Sequence, residues 1–113
     1  MNHLPEPALH EIASYFQALS DPTRLKILNL LRARAHNVGE LAQLTGYSAA
    51  NVSRHLTQMA LQGIVARESR GTSAFYRIED ESIYALCDLV CGNIARRHEQ
   101  AAPTRALMAA TLA

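Results

Sequence analysis

Two short apolar-periodic segments, VGELAQLT (residues 38–45) and AANVSRHLTQMAL (49–61), are separated only by Gly46-Tyr47-Ser48. So brief a joint makes two helices pack at a steep angle, in a helix-turn-helix pattern. Gly46 can supply the backbone conformation that stops the first helix, and Ser48 is a good cap for the second. In the first, Val38, Leu41 and Leu44 are expected to face inward; in the second, Ala49, Val52, Leu56, Met59 and Gly63 share a side. The opposite side of the second helix presents Ala50, Asn51, Arg54 and Thr57, with Ser53 and His55 on its flanks. Two explanations compete for that row: the solvated face of an ordinary surface helix, or a face that touches a readable edge.

The flanking sequence extends the pattern. Residues 7–19 predict a first helix with Leu9, Ile12, Phe16 and Leu19 near one side. Asp21-Pro22 restarts the chain as N-cap and first helical residue. Leu25, Ile27, Leu28, Leu30 and Leu31 then make a helix apolar over much of its circumference, which belongs in a core. Asn37 and Glu40 have the spacing of a capping box. After Gly63 the period changes: residues 64–69 and 72–78 are strand-like runs around Arg70-Gly71, a hairpin signal. A last helix is expected from near Asp80 to about Gln100, with Ile83, Leu86, Val90 and Ile94 as its stripe, ended or kinked by Pro103. The order predicts a mainly α fold with a small β-hairpin wing, a winged helix-turn-helix.

At 113 residues the chain has room for one core, read as a winged-helix DNA-binding and dimerisation domain over 1–100 and an alanine-rich tail over 101–113. No apolar run approaches the ~18 residues of a membrane span. The start, MNHLPEPALHEI, lacks the pattern of a secretory signal, so with two cysteines a reducing cytoplasm is expected. Residues 22–78 hold eight basic residues against two carboxylates, and the two ends hold three against eight. A basic middle between acidic ends suits an anionic partner.

ALSDPTRLKILNLL and SAANVSRHLTQMALQGIVARESRGTSAFYRI resemble the ArsR/SmtB family of winged helix-turn-helix transcriptional repressors, in an ordered series over about residues 15 to 98. The resemblance implies a homodimer, paired through its first and last helices, that binds double-stranded operator DNA. It further implies release when an inducer binds, commonly a metal ion or a thiol-reactive species. The chemistry agrees for Ser48, Ala50, Asn51, Ser53, Arg54, His55 and Thr57: arginine can pair with a guanine edge, asparagine with adenine, and alanine or threonine can meet a thymine methyl. Ser48 and the first amides of the helix can hold a phosphate, and wing residues Arg67 and Arg70 would reach backbone or minor groove. The competing reading is a winged-helix module that binds proteins and senses nothing.

Cys87 and Cys91, four apart, lie on one side of the last helix together with Tyr84 and His98. They suit a soft metal or metalloid ion as inducer, or oxidation and reactive-sulfur chemistry, or simply the packing of two small apolar residues. No obligatory cofactor is implied. The family's cysteine pair in the helix before the recognition helix is missing from VGELAQLTG. Its Asp-x-His start of the last helix is reduced to Asp80-Glu81-Ser82, with Asn93 and Arg96 where later ligands would stand. His3, His10 and His36 are expected at the surface. No phosphate loop, catalytic triad or H-E-x-x-H motif is present, so an enzyme is not expected.

Overall fold

The computed structural model describes residues 3–99, which form one compact unit up to Asp80 and a second from Glu81. In the first unit, α1 (Glu6–Leu19) follows Pro5 and buries Ala18 while leaving Leu9 and Phe16 exposed. Asp21 caps α2 (Pro22–Leu31) by accepting from the amides of Thr23 and Arg24, at 2.8 and 3.2 Å. The helix buries Ile27, Leu28 and Leu31 but exposes Leu25, so it contributes one buried stripe rather than a fully enclosed cylinder.

The capping box forms. Asn37 Oδ1 accepts from the Glu40 amide at 2.7 Å, Glu40 Oε1 accepts from the Asn37 amide at 2.9 Å, and α3 (Val38–Thr45) begins there. Leu44, expected to face inward, is instead 52 % exposed. Thr45 takes the inward position four residues after Leu41, because its hydroxyl is satisfied by the Leu41 carbonyl at 2.7 Å and can be buried. Gly46, at φ 79°, ends α3 in the left-handed conformation that glycine adopts without strain.

Ser48 Oγ accepts from the Asn51 amide at 3.1 Å and opens α4 (Ala49–Leu61). Val52, Leu56 and Met59 are 0 % exposed, which fixes the helix's rotation about its axis. Gly63 does not extend this buried side: at φ +73° it terminates the helix. Its amide bonds the Ala60 carbonyl and the Ile64 amide bonds the Met59 carbonyl, both at 3.0 Å. That is a Schellman motif, closed by buried Met59 and Ile64.

The wing has three strands where a hairpin was expected. β1 (His36–Asn37), β2 (Val65–Arg70) and β3 (Ser73–Ile78) lie in the order β1-β3-β2, all antiparallel, with His36 opposite Tyr76 and Arg67 also opposite Tyr76. Gly71, at φ +62°, and Thr72 form the two-residue turn, with positive φ at its first position as in a type II′ hairpin. β1 is too short to leave a period in the sequence. It also overturns the surface reading of His36, which is 5 % exposed, with a buried Nδ1 that has no hydrogen-bond partner and lies 3.7 Å from Glu40 Oε1. Asn37 serves both β1 and the α3 cap, so one residue couples the wing to the helix-turn-helix.

The second unit is built on α5 (Ser82–Glu99), with Ile83 buried and Leu89 and Val90 exposed. Val90 was expected within the apolar stripe. Arg96, Arg97 and His98 lie in its last turn, where the arginine charges are favourable at the negative end of the helix dipole. Gln100, Pro103 and the alanine-rich tail lie outside the described residues. No described helix is long and apolar enough to cross a membrane.

Candidate nucleic-acid interface

With Val52, Leu56 and Met59 inward, α4 turns Ala50, Arg54 and Thr57 outward, with Asn51 half-exposed beside them. Arg54 Nη2 donates to Asn51 Oδ1, so the two side chains expected to read base edges stand as one braced pair. Thr57 Oγ1 donates to the Ser53 carbonyl at 2.9 Å, leaving its methyl and oxygen lone pairs for other contacts. Ser48 is committed to the cap but exposed.

His55 lies on the flank toward α2, where its Nδ1 is 3.1 Å from Arg24 Nη1. Arg24 also donates to the carbonyls of Ala18 (2.7 Å) and Gln17 (3.3 Å), satisfying the end of α1. Arg24 was not singled out from sequence; its signal, a cation three residues after a capping aspartate, is ambiguous until the fold brings α1 and α4 to it. Burial works to raise the Asp21 carboxyl, but the Arg24 and Thr23 amides, and the His55 and Arg24 side chains nearby, hold it below its ordinary value. For Glu40 the Asn37 amide and then the Arg34 guanidinium, 3.2 Å away, lower the carboxyl against a smaller effect of burial.

The wing divides its arginines. Side chains alternate along a strand, so Glu68 and Arg70 of β2 share a face with Phe75 and Arg77 of β3, and Arg67 projects from the other. Arg70 Nε pairs with Glu68 at 3.2 Å and its guanidinium lies 4.5 Å over the Phe75 ring. Arg77, also missed from sequence, sits 3.5 Å from both Glu68 and Glu79. Arg67 and Arg70 are both exposed but cannot engage the same surface in the same way.

In the second unit, Cys87 and Cys91 are both half-buried and in no disulfide. Their spacing sets the Cβ atoms ~5–6 Å apart, beyond the ~3.8 Å of a disulfide. Among the described residues no group of three or more His, Cys, Asp or Glu side chains could hold a metal ion.

Residues 21–67, from the α2 cap into β2, match the family described as "Bacterial regulatory protein, arsR family". The chain is also 33 % identical over 92 residues to the uncharacterized HTH-type transcriptional regulator Rv0081 of Mycobacterium tuberculosis, covering 80 % of this chain and 81 % of that protein. This chain belongs to the arsR family. The crystal structure of Rv0081 covers 87 % of this arsR-family chain and 99 % of its own, with TM-score 0.79 and 30 % identity. HTH-type transcriptional regulator KmtR of the same species is 35 % identical over 83 residues, 74 % of this chain but 64 % of KmtR, so the match spans less than two thirds of that relative. The solution structure of the homodimeric winged helix-turn-helix DNA-binding domain Mb0332 from Mycobacterium bovis is similar over 88 % of this chain and 94 % of its own, at 27 % identity and TM-score 0.72. The arsR-family relatives are transcriptional regulators, not enzymes, and the family expected from sequence is the family found.

Proposed function

We propose that this regulator represses transcription as a homodimer on double-stranded operator DNA and is released by a thiol-reactive inducer at Cys87 and Cys91. The observation that carries the DNA half is the set of α4 core residues at 0 % exposure, which leaves no rotational freedom to the face bearing Ala50, Asn51, Arg54 and Thr57. A recognition helix enters the major groove with such a face toward base edges. Ser48, Ser53 and His55 would hold or orient backbone contacts, and Arg67 and Arg70 would meet phosphates or the minor groove on either side of the wing. Exposed Leu9 and Phe16 on α1, and exposed Leu89 and Val90 on α5, favour a second copy as the cover for both helices. The homodimeric Mb0332 domain supports the same assembly.

For the inducer, two soft donors one helical turn apart suit a soft metal or metalloid ion, an oxidant or reactive sulfur. A tetrahedral ion needs four donors, so a metal held this way would recruit further ligands, with the twin helix as the nearest candidate. Any of these reactions would alter α5 locally, and half-sites one helical turn apart tolerate little change in the separation of two recognition helices. A differential affinity of ~3 kcal/mol suffices for about a hundredfold loss of operator binding.

The test is to titrate the protein–operator complex with cadmium, zinc, arsenite, hydrogen peroxide and polysulfide, for wild type and for Cys87→Ser/Cys91→Ser. The double variant is expected to bind DNA normally and ignore the inducer. Release at wild-type inducer concentrations would make both cysteines packing residues and move the sensor elsewhere.

A further inference from the structure

One flank of α4 carries a cleft that shares only Arg54 with the base-reading face. A cleft of about 440 Å³ lies between the end of α1, the start of α2 and the outer turns of α4. Gln17 of α1, Arg24 of α2, Arg54, His55 and Gln58 of α4, and Gln62 at its cap contribute the polar wall. With the Ser14 hydroxyl, the wall has two guanidiniums, an imidazole and three carboxamides, and no carboxylate. Asp21, which interacts electrostatically with His55 and Arg24, spends Oδ1 on the α2 amides.

The hydrogen bonding makes this wall a donor surface. Arg24 directs Nε and Nη2 to the α1 carbonyls and Nη1 to His55 Nδ1. A guanidinium has no lone pair with which to accept, so Nδ1 is the acceptor and neutral His55 carries its hydrogen on Nε2. The Nε2–H, the glutamine amides and the remaining N–H groups of Arg54 are then available to one ligand. A donor-rich wall with two permanent positive charges complements an oxyanion with several acceptor oxygens.

Position narrows the anion. At 3.6 residues per turn, His55 and Gln58 fall on one flank of the Arg54 direction and Ser53 and Thr57 on the other. A helix seated in a major groove ~12 Å wide has a sugar-phosphate strand along each flank. We propose that this cleft is a phosphate-binding site, filled by a backbone phosphodiester of bound DNA or by free phosphate. The first source rests on the DNA-binding reading above; the second does not. The Arg24–His55 contact then has a purpose beyond packing, because it presents the Nε2 donor to the ligand.

The experiment compares wild type with Gln17→Glu, which sets an anion in the wall, and with Ala13→Glu, which adds the same charge on α1 outside it. Thermal unfolding checks both for folding, and Ser14→Asp, one turn earlier on the same wall, replaces Gln17→Glu if that variant unfolds. In one arm, duplex binding is followed against salt concentration. Gln17→Glu is expected to weaken binding roughly tenfold and to reduce the salt slope by about one unit, while Ala13→Glu leaves the slope unchanged. In the other arm, the His55 imidazole resonances are followed as inorganic phosphate replaces chloride at constant ionic strength. A saturable shift in wild type that Gln17→Glu abolishes identifies free phosphate as a ligand. A wild type that binds phosphate but no duplex keeps the site and removes the DNA reading. Equal effects of the two α1 variants on DNA, together with a His55 signal indifferent to phosphate, overturn the proposal.

Discussion

Arg54 projects from the outward side of α4 with its guanidinium held by the Asn51 side chain. A braced guanidinium loses less entropy on pairing with a guanine edge than a free one. Arg54→Ala is therefore expected to cost roughly 1–3 kcal/mol on the operator and to relax base preference at one position per half-site. Asn51→Ala is expected to reproduce part of that loss, with a coupling of roughly 0.5–3 kcal/mol in a double-mutant cycle of binding. Additive effects would mean that the brace is idle in the complex. Arg70→Ala, already screened by Glu68, is expected to weaken all sequences alike. At the same scale, Asp21 and Glu40 tie stability to pH. Their carboxyls sit below the ordinary 3.8 and 4.5 in the folded chain. A group lowered on folding stabilises fully above its unfolded value and loses that contribution as pH falls through the folded one. Stability should therefore decline with acid below about pH 4.5, and Asp21→Asn/Glu40→Gln should flatten that limb in denaturant titrations run from pH 6 down to pH 2.

Elements show why some of the fold was legible in the sequence and some was not. The caps at Asp21, Asn37 and Ser48 and the stop at Gly46 depend on local chemistry, and all four formed as read. The inward sides of α3 and α4 depend on what packs against them. Leu44 lost its inward place to a threonine whose hydroxyl bonds within its own helix. Gly63, which fits the periodicity of α4, is set by the Schellman turn instead. β1 exists only because β3 offers an edge, and a two-residue strand has no pattern of its own, so buried His36 was read as a surface residue. Of the interface, the outward row on α4 was legible because it is the complement of the buried one; the Arg24–His55 contact and the two-faced wing need tertiary register. Because Asn37 serves both α3 and β1, Asn37→Ala is expected to cost ~1 kcal/mol of stability and to raise amide exchange in the wing as well as in α3. A loss confined to α3 would mean that the two are not coupled through this residue.

For the whole molecule, basic charge concentrates in the middle of the chain, while exposed apolar side chains occur along its length, Leu25, Leu44, Tyr47 and Leu61 in that middle included. The basic middle holds α4 and the wing, and the first and last helices each expose large apolar side chains, Leu9 and Phe16 on one and Leu89 and Val90 on the other. A regulator that pairs through those helices would carry two reading faces, so sedimentation is expected to give a dimer at micromolar concentration. A monomer there would remove the spacing argument for inducer release. Whether α4 reads duplex DNA is decided by fluorescence anisotropy with duplex from beside the protein's own gene and with scrambled duplex, across a salt series. Tighter binding of the native duplex is expected at every salt concentration, with log affinity falling linearly against log salt. Absence of binding at low salt by folded protein would contradict it and leave a winged-helix module that binds proteins instead.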